Sequence, residues 1–378
     1  MSLNRRQLLR GLAACGPATL ALPTLAQADK RIVLGQSAPL TGPAAQLGIQ
    51  FQLGAKLAFD RANARGGVNG RSVELRSMDD GYEPARCQAN TQTLLADDVL
   101  ALFGYIGTPT SLAALPLATA AKTPFIAPFT GAQALRDPFN RHAFHLRASY
   151  YDETARIVNQ VTGVGMKRVA VFHQNDSYGQ AGLDGVTRAL KAIQLEAVAT
   201  ATVERNSVDV TAAVAKILPN QPEAIVQVSA YKSCAAFVRA ARKAGYAGQF
   251  YNVSFVGTQA LADELGPDAR GVVVSQVMPY PFAPLTALTN EFLGAAASAA
   301  TKVQPNYSSM EGYTAARVIL EGLRRAGKDL THEGLIAAME SIQNFDLGGF
   351  FVDFGPRKRV GSSFVDLTIL DGSGHVRR

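Results

Sequence analysis

Between residues 32 and 275 the chain alternates short apolar runs with amphipathic stretches almost without a break, and few folds accept that pattern. Runs at 32–37, 72–76, 99–103, 124–127, 168–172, 197–203, 224–228, 249–253 and 271–275 are rich in Val, Ile, Ala and Phe, which predicts strands, several of them buried on both faces. The stretches between them carry a helical period. In the first, Leu47, Phe51, Ala55, Ala58 and Ala62 fall on one stripe, with Gln50, Gln52, Lys56, Asp60 and Asn63 elsewhere and a stop at Gly66-Gly67. Likewise Cys234, Phe237, Val238, Ala241 and Gly245 face one way while Arg239, Arg242 and Lys243 face the other. This alternation predicts an α/β fold with parallel sheets. Beyond Pro279 it gives way to helical stretches at 285–301, 309–326 and 332–341 and a strand-like end at 363–370, the pattern of a chain returning to a lobe already built.

The first 28 residues stand outside that pattern. A basic segment, Asn4-Arg5-Arg6-Gln7-Leu8-Leu9-Arg10, precedes an uncharged stretch broken by Gly16, Pro17 and Pro23 and ending in Ala26-Gln27-Ala28, which predicts an export signal cleaved after Ala28. The paired arginines resemble a twin-arginine signal, although Asn4 and Leu8 depart from it, so that route and the general secretory route both stay open. Leu12-Ala13-Ala14-Cys15 resembles a lipoprotein box, but Arg10 leaves almost no apolar run before Cys15. A membrane anchor is disfavoured because a spanning helix wants ~20 predominantly apolar residues without such Pro and Gly content. The expected mature protein is soluble and periplasmic.

Loss of the signal removes three arginines and lowers the formal charge from +7 to +4. No stripe of Lys and Arg remains, since the densest cluster, Arg357-Lys358-Arg359, follows the turn residues Gly355-Pro356, and a nucleic-acid partner is not supported. The remaining length exceeds what one core usually serves, which predicts two lobes. Cys15 leaves with the signal, and Cys87 and Cys234 fall on apolar helix faces as small core residues rather than a disulfide.

Two loops mark the expected site. Gly107-Thr108-Pro109-Thr110-Ser111 follows one strand run and places Thr108 at a predicted N-cap, with Pro109 next and two more hydroxyls in the first turn. Phe129-Thr130-Gly131-Ala132 follows the next run with another hydroxyl and backbone amides. Each taken alone reads as a helix cap or a turn. Together, at the carboxyl ends of neighbouring strands in an open α/β sheet, they suit an anion.

Pro39-Leu40-Thr41-Gly42-Pro43, Gly66-Gly67-Val68-Asn69-Gly70-Arg71, Asp79-Asp80 before Pro84, Gly104 with Gly107-Thr108, and residues 172–179 (FHQNDSYG) occur in that order. In this the chain resembles the branched-chain amino acid type of periplasmic solute-binding protein that serves ABC importers, over essentially the whole mature length. The resemblance implies a type I periplasmic binding fold: two Rossmann-like lobes with parallel sheets, joined by three crossovers, closing on a ligand between them. It implies lobe one at residues 29–148 plus 278–348, and lobe two at 149–277 plus 349–378. It also implies permease subunits as partners, a small carboxylate-bearing ligand, no cofactor and a monomer.

Carried onto this sequence, the resemblance implies that Thr108 and the group Phe129, Thr130 and Gly131 hold the ligand carboxylate. Tyr178 and Tyr231 would bring rings from the second lobe, with Tyr150 and Tyr151 near the crossover. Where amino-acid binders of the family place a Glu for the ligand ammonium, this chain has Ser254, followed by Phe255; Asp152 remains as a candidate replacement, or as a first-turn helix acid. Phe129 and Leu47 also replace family residues. A branched-chain or related amino acid is the first expectation, and an aromatic carboxylate or keto acid the alternative.

Catalysis finds no support in the sequence. His142 and His145 would face opposite sides of a predicted strand, no G-x-S-x-G, Walker A or dinucleotide glycine pattern follows a strand, and adjacent Asp79-Asp80 point apart and read as turn-holding acids. A DNA-binding regulator is disfavoured because the signal occupies the place of a headpiece, and a sensory ectodomain because no apolar span follows the lobes.

Overall fold

A computed structural model describes residues 31–378. The predicted signal lies outside these residues. The strands are β1 (Arg31–Ala38), β2 (Ser72–Asp79), β3 (Ala101–Phe103), β4 (Phe125–Ile126), β5 (Ala143–Phe144), β6 (Val169–Gln174), β7 (Ala199–Val203), β8 (Ala224–Val228), β9 (Gln249–Asn252), β10 (Val273–Gln276), β11 (Phe345–Asp346), β12 (Phe351–Val352), β13 (Asp366–Leu370) and β14 (Val376–Arg377). The helices are α1 (Ala45–Ala64), α2 (Pro84–Ala96), α3 (Thr108–Ala120), α4 (Tyr150–Gly163), α5 (Ser177–Lys191), α6 (Thr211–Ile217), α7 (Tyr231–Lys243), α8 (Thr258–Leu265), α9 (Ala287–Ser298), α10 (Tyr307–Ala326) and α11 (His332–Glu340).

The strands form two principal sheets. The first is parallel in the order β2-β1-β3-β4-β5; the second runs β14-β13-β10-β9-β8-β6-β7, with β6 to β10 parallel and β13 and β14 antiparallel at one edge. Both have helices on their faces, the arrangement that the strand-helix alternation predicts. Every residue of β6 and β8 is buried, as strands covered on both sides require. In the first sheet Phe51, Phe59 and Phe103 pack together under α1, while Cys87, Leu102, Tyr105 and Phe125 fill the opposite face beneath α2 and α3. Cys87 and Cys234 are buried and free.

The predicted helical return is present as α9, α10 and α11. Helix α10 lies against α1 so closely that a Cβ on Gly54 would come within 1.8 Å of the Ser309 carbonyl oxygen, and one on Gly312 within 2.0 Å of that of Phe51. The short strands β5, β11, β12 and β14 are additions to the sequence reading, and the strand-like end begins at Asp366 rather than 363. Two-residue strands carry too few side chains to show a period.

Asp79 and Asp80 hold the turn after β2. Asp79 accepts from Leu40 N, Thr41 N, Gly81 N, the Thr41 hydroxyl and Arg86; these bonds outweigh its partial burial and keep it well below the usual carboxylate range. Asp80 accepts from Ser37 and Tyr82 N, and burial pushes it up to about 6. Among the described residues no helix is long and apolar enough to cross a membrane.

Candidate functional site

The loops after β3 and β4 meet as predicted in outline. Gly107 is the N-cap of α3, at φ 98°, a region that favours glycine, and Thr108 and Pro109 are the first two helical residues. The expected cap at Thr108 is therefore corrected by one residue. With the turn made by Gly107, the Thr108 side chain is released from capping, and its hydroxyl lies 2.7 Å from that of Thr130. Thr130 in turn accepts from Ala132 N at 3.2 Å and lies 3.4 Å from the Tyr150 hydroxyl. The Thr110 hydroxyl is spent on the Ile106 and Gly107 carbonyls, whereas Ser111 Oγ is buried without a protein partner.

Gly131 acts through shape. A Cβ there would lie 2.6 Å from the Tyr150 ring and 2.7 Å from its backbone nitrogen, and the Gly131 carbonyl accepts the Tyr150 N–H at 2.7 Å. The glycine thereby admits α4 against the loop. Tyr150 then packs on Tyr178 with ring centroids 5.5 Å apart, and Tyr178 on Phe255 at 4.6 Å. Phe255 also meets Phe129 at 5.7 Å and Tyr82 at 5.9 Å, so rings from the two sheets touch directly. Burial drives the Tyr150 phenol up to about 12, and those of Tyr82 and Tyr178 well above their usual value, so all three are neutral donors.

Two predicted tyrosines stand apart from this cluster. Tyr151 is half-buried, with Arg188 5.3 Å over its ring. Tyr231 is buried at the start of α7. Asp152 needs correction as a candidate for an ammonium: it is exposed, and its carboxylate accepts from Ser149 N at 2.9 Å and Ser149 Oγ at 2.7 Å in a capping box. The helix start consumes it.

The charged groups that do reach the ring cluster are Arg147, Glu153 and Glu311. The Arg147 guanidinium sits 4.3 Å over the Phe129 ring, with Nη2 bonded to Ser254 Oγ at 2.8 Å and Glu311 Oε2 at 3.0 Å. Its Nε is 3.0 Å from Glu311 Oε1 but out of line for a hydrogen bond, and Nη1 bonds to no protein atom. Glu153 accepts from Ser254 N, Ser254 Oγ and Ser275 Oγ. Burial opposes the charge on Arg147, but Glu311 and Glu153 outweigh it and raise its pKa; burial also raises Glu153 and pushes Glu311 up to about 7. Sequence reasoning passed over this trio. Its signal was an Arg in the apolar run before Ser149 and an acid among the apolar residues of α10, since charges there must be paired.

Thr108, Phe129, Thr130, Tyr150, Tyr178, Phe255 and Arg147 are each no more than 1% exposed. Cavities of 680, 770 and 700 Å³ open elsewhere, beside α8, between α1 and α9, and over Arg136 and Phe364; none is lined by these residues. The cluster is closed to solvent. At the rim, Arg205 bonds Glu83 at 2.9 Å and Asp176 at 3.3 Å, and Asn206 bonds Glu83 at 2.8 Å and the Gly81 carbonyl at 3.2 Å, tying the loop after β7 to the start of α2.

Two similar open α/β sheets, connected by repeated crossings and meeting at the carboxyl ends of their strands, define a two-lobed binding protein. Residues 31–365 match the periplasmic binding protein family model, and the chain belongs to that family, in its type I, branched-chain amino acid form. The chain is similar to a crystal structure described as a possible leucine/isoleucine/valine-binding protein from Rhodopirellula baltica SH 1, at 34% identity, 92% and 96% coverage of the two chains and a TM-score of 0.89. It is also similar to a substrate-binding periplasmic protein from Ralstonia solanacearum, at 32% identity, 91% and 99% coverage and a TM-score of 0.86. An amino acid binding protein of Pseudomonas aeruginosa is 29% identical over 259 residues, 68% of each chain.

Proposed function

We propose that this protein is the extracytoplasmic solute-binding component of an ABC importer and captures a small carboxylate-bearing ligand by closure of its two lobes without altering it. The observation that carries the reading is the buried hydroxyl pair Thr108–Thr130, set at the start of α3 against rings from the opposite sheet. Hydroxyls and helix-start amides suit a carboxylate in a dry cleft. The names of the relatives favour a branched-chain or related amino acid. The exposure of Asp152 favours the second reading, an acid without an ammonium group.

The lobe boundaries near residues 148, 277 and 348, the signal cleavage after Ala28, the permease partners and the monomeric state belong to this proposal. Thermal-shift screening of the mature chain against amino, 2-oxo, 2-hydroxy and aromatic acids tests it, because a ligand at ~100 times its dissociation constant adds ~2.7 kcal/mol to the folded state. Recovery of the ligand unchanged after long incubation is the expected result. Product formed in proportion to protein would make the chain an enzyme.

A further inference from the structure

Buried donors without partners are uncommon in folded proteins, and a group of them at one place points to a molecule that supplies acceptors. Among those in or beside the ring cluster are Arg147 Nη1, the Tyr178 hydroxyl and Ser111 Oγ. Arg147 lies over the Phe129 ring and Tyr178 packs on that of Phe255, and those two rings meet at 5.7 Å. The two carboxylates of the cluster are already engaged. Glu153 takes three hydrogen bonds from Ser254 and Ser275, and both Glu311 oxygens face Arg147.

An α-amino acid brings three N–H donors on a cation, and it would meet a free guanidinium N–H and a neutral phenol. A cation placed beside Arg147 gains nothing from it. A carbonyl or hydroxyl oxygen meets two donors that are otherwise unmatched, and forfeiting such matches is what makes a polar site selective.

We infer that Arg147 and Tyr178 select against an ammonium group and for an oxygen acceptor beside the carboxylate, so that the ligand is a 2-oxo or 2-hydroxy acid with an apolar side chain. Tyr178 supplies its hydroxyl, Arg147 supplies Nη1, and Glu311 holds the guanidinium in place from the far side. Phe129, Phe255 and Tyr82 give the side chain an apolar surround, consistent with a branched or aromatic body. This inference rests on the carboxylate reading above and names its ligand class.

The test is calorimetric titration of the mature protein with two matched pairs, 4-methyl-2-oxopentanoate against leucine and phenylpyruvate against phenylalanine. At least one 2-oxo acid should bind about tenfold or more tighter than its amino acid, the scale expected when two buried donors gain or lose an acceptor. Tyr178→Phe, which keeps the ring, and Arg147→Lys, which keeps the charge, should each shrink that preference towards unity, with folding checked by circular dichroism. An amino acid that binds tighter than its 2-oxo partner overturns the inference and leaves the carboxylate reading standing. A preference that persists in both variants also overturns it. If no amino, 2-oxo, 2-hydroxy or aromatic acid binds the unaltered protein, the carboxylate reading falls and this inference with it.

Discussion

The first sheet runs β2-β1-β3-β4-β5 and the second repeats that order in β7-β6-β8-β9-β10, yet the loops beyond their carboxyl ends hold different chemistry. The first presents hydroxyls on a tight glycine-bounded loop and a helix start, groups fixed by the backbone itself. The second presents large rings, Tyr178 and Phe255, and the serine that Glu153 holds. Arg147 lies between, at the passage from β5 to α4, bonded to Glu311 of α10 on one side and Ser254 on the other. On the proposed function, one topology thus serves as a clamp in one copy and as an apolar cover in the other, because ligand chemistry resides in loops rather than in strand order.

Breaking the link between the halves should have the largest effect. Arg147→Met strands two buried carboxyls beside apolar rings and is expected to cost about 3–5 kcal/mol in chemical denaturation. Gly131→Val drives a side chain into Tyr150 and should destabilise by about 1–3 kcal/mol while also weakening ligand binding, since it displaces the ring that meets Thr130. Thr108→Val sharpens the contrast from the clamp side: shape is kept and one hydroxyl lost. Carboxylate affinity should fall about tenfold in calorimetry, with a smaller change in melting temperature.

A pH series isolates the trio. Glu311 in the folded chain holds its proton up to about 7, against an ordinary value of 4.5. An acid whose folded pKa is raised favours the folded state below the unfolded value, and that contribution is lost as pH climbs through the folded one. Denaturation between pH 4.5 and 7 should therefore show a falling contribution that Glu311→Gln removes. The smallest effect belongs to Asp152→Ala, which should leave ligand affinity unchanged and lower stability by about 1 kcal/mol or less, the worth of a capping contact. A large loss of affinity there would return Asp152 to the site.

The strand-helix alternation made most of the fold legible, because runs such as those of β6 and β8 are long enough to announce burial on both faces. The two hydroxyl loops were legible for the same reason, being the segments directly after such strands. The role of Gly131 was not. Its meaning lies in the distance to Tyr150, 19 positions on, which only the packed structure supplies. Arg147, Glu153 and Glu311 were obscured differently: each looks ordinary in its own segment, and the trio exists only where α4, α10 and the loop after β9 converge. Tyr151 and Asp152 looked like site residues by position, but the first turn of α4 points them outward.

The rim bonds of Arg205 and Asn206 to Glu83 bear on time rather than on choice of ligand. On the proposed function the binding groups are sealed and escape would wait for the lobes to part, while Arg205, Glu83 and Asn206 are partly open to water, where salt screens charge. Ionic strength should therefore shorten the residence of a captured molecule while barely altering which molecule is captured, so that selectivity and lifetime are set by separate groups of atoms.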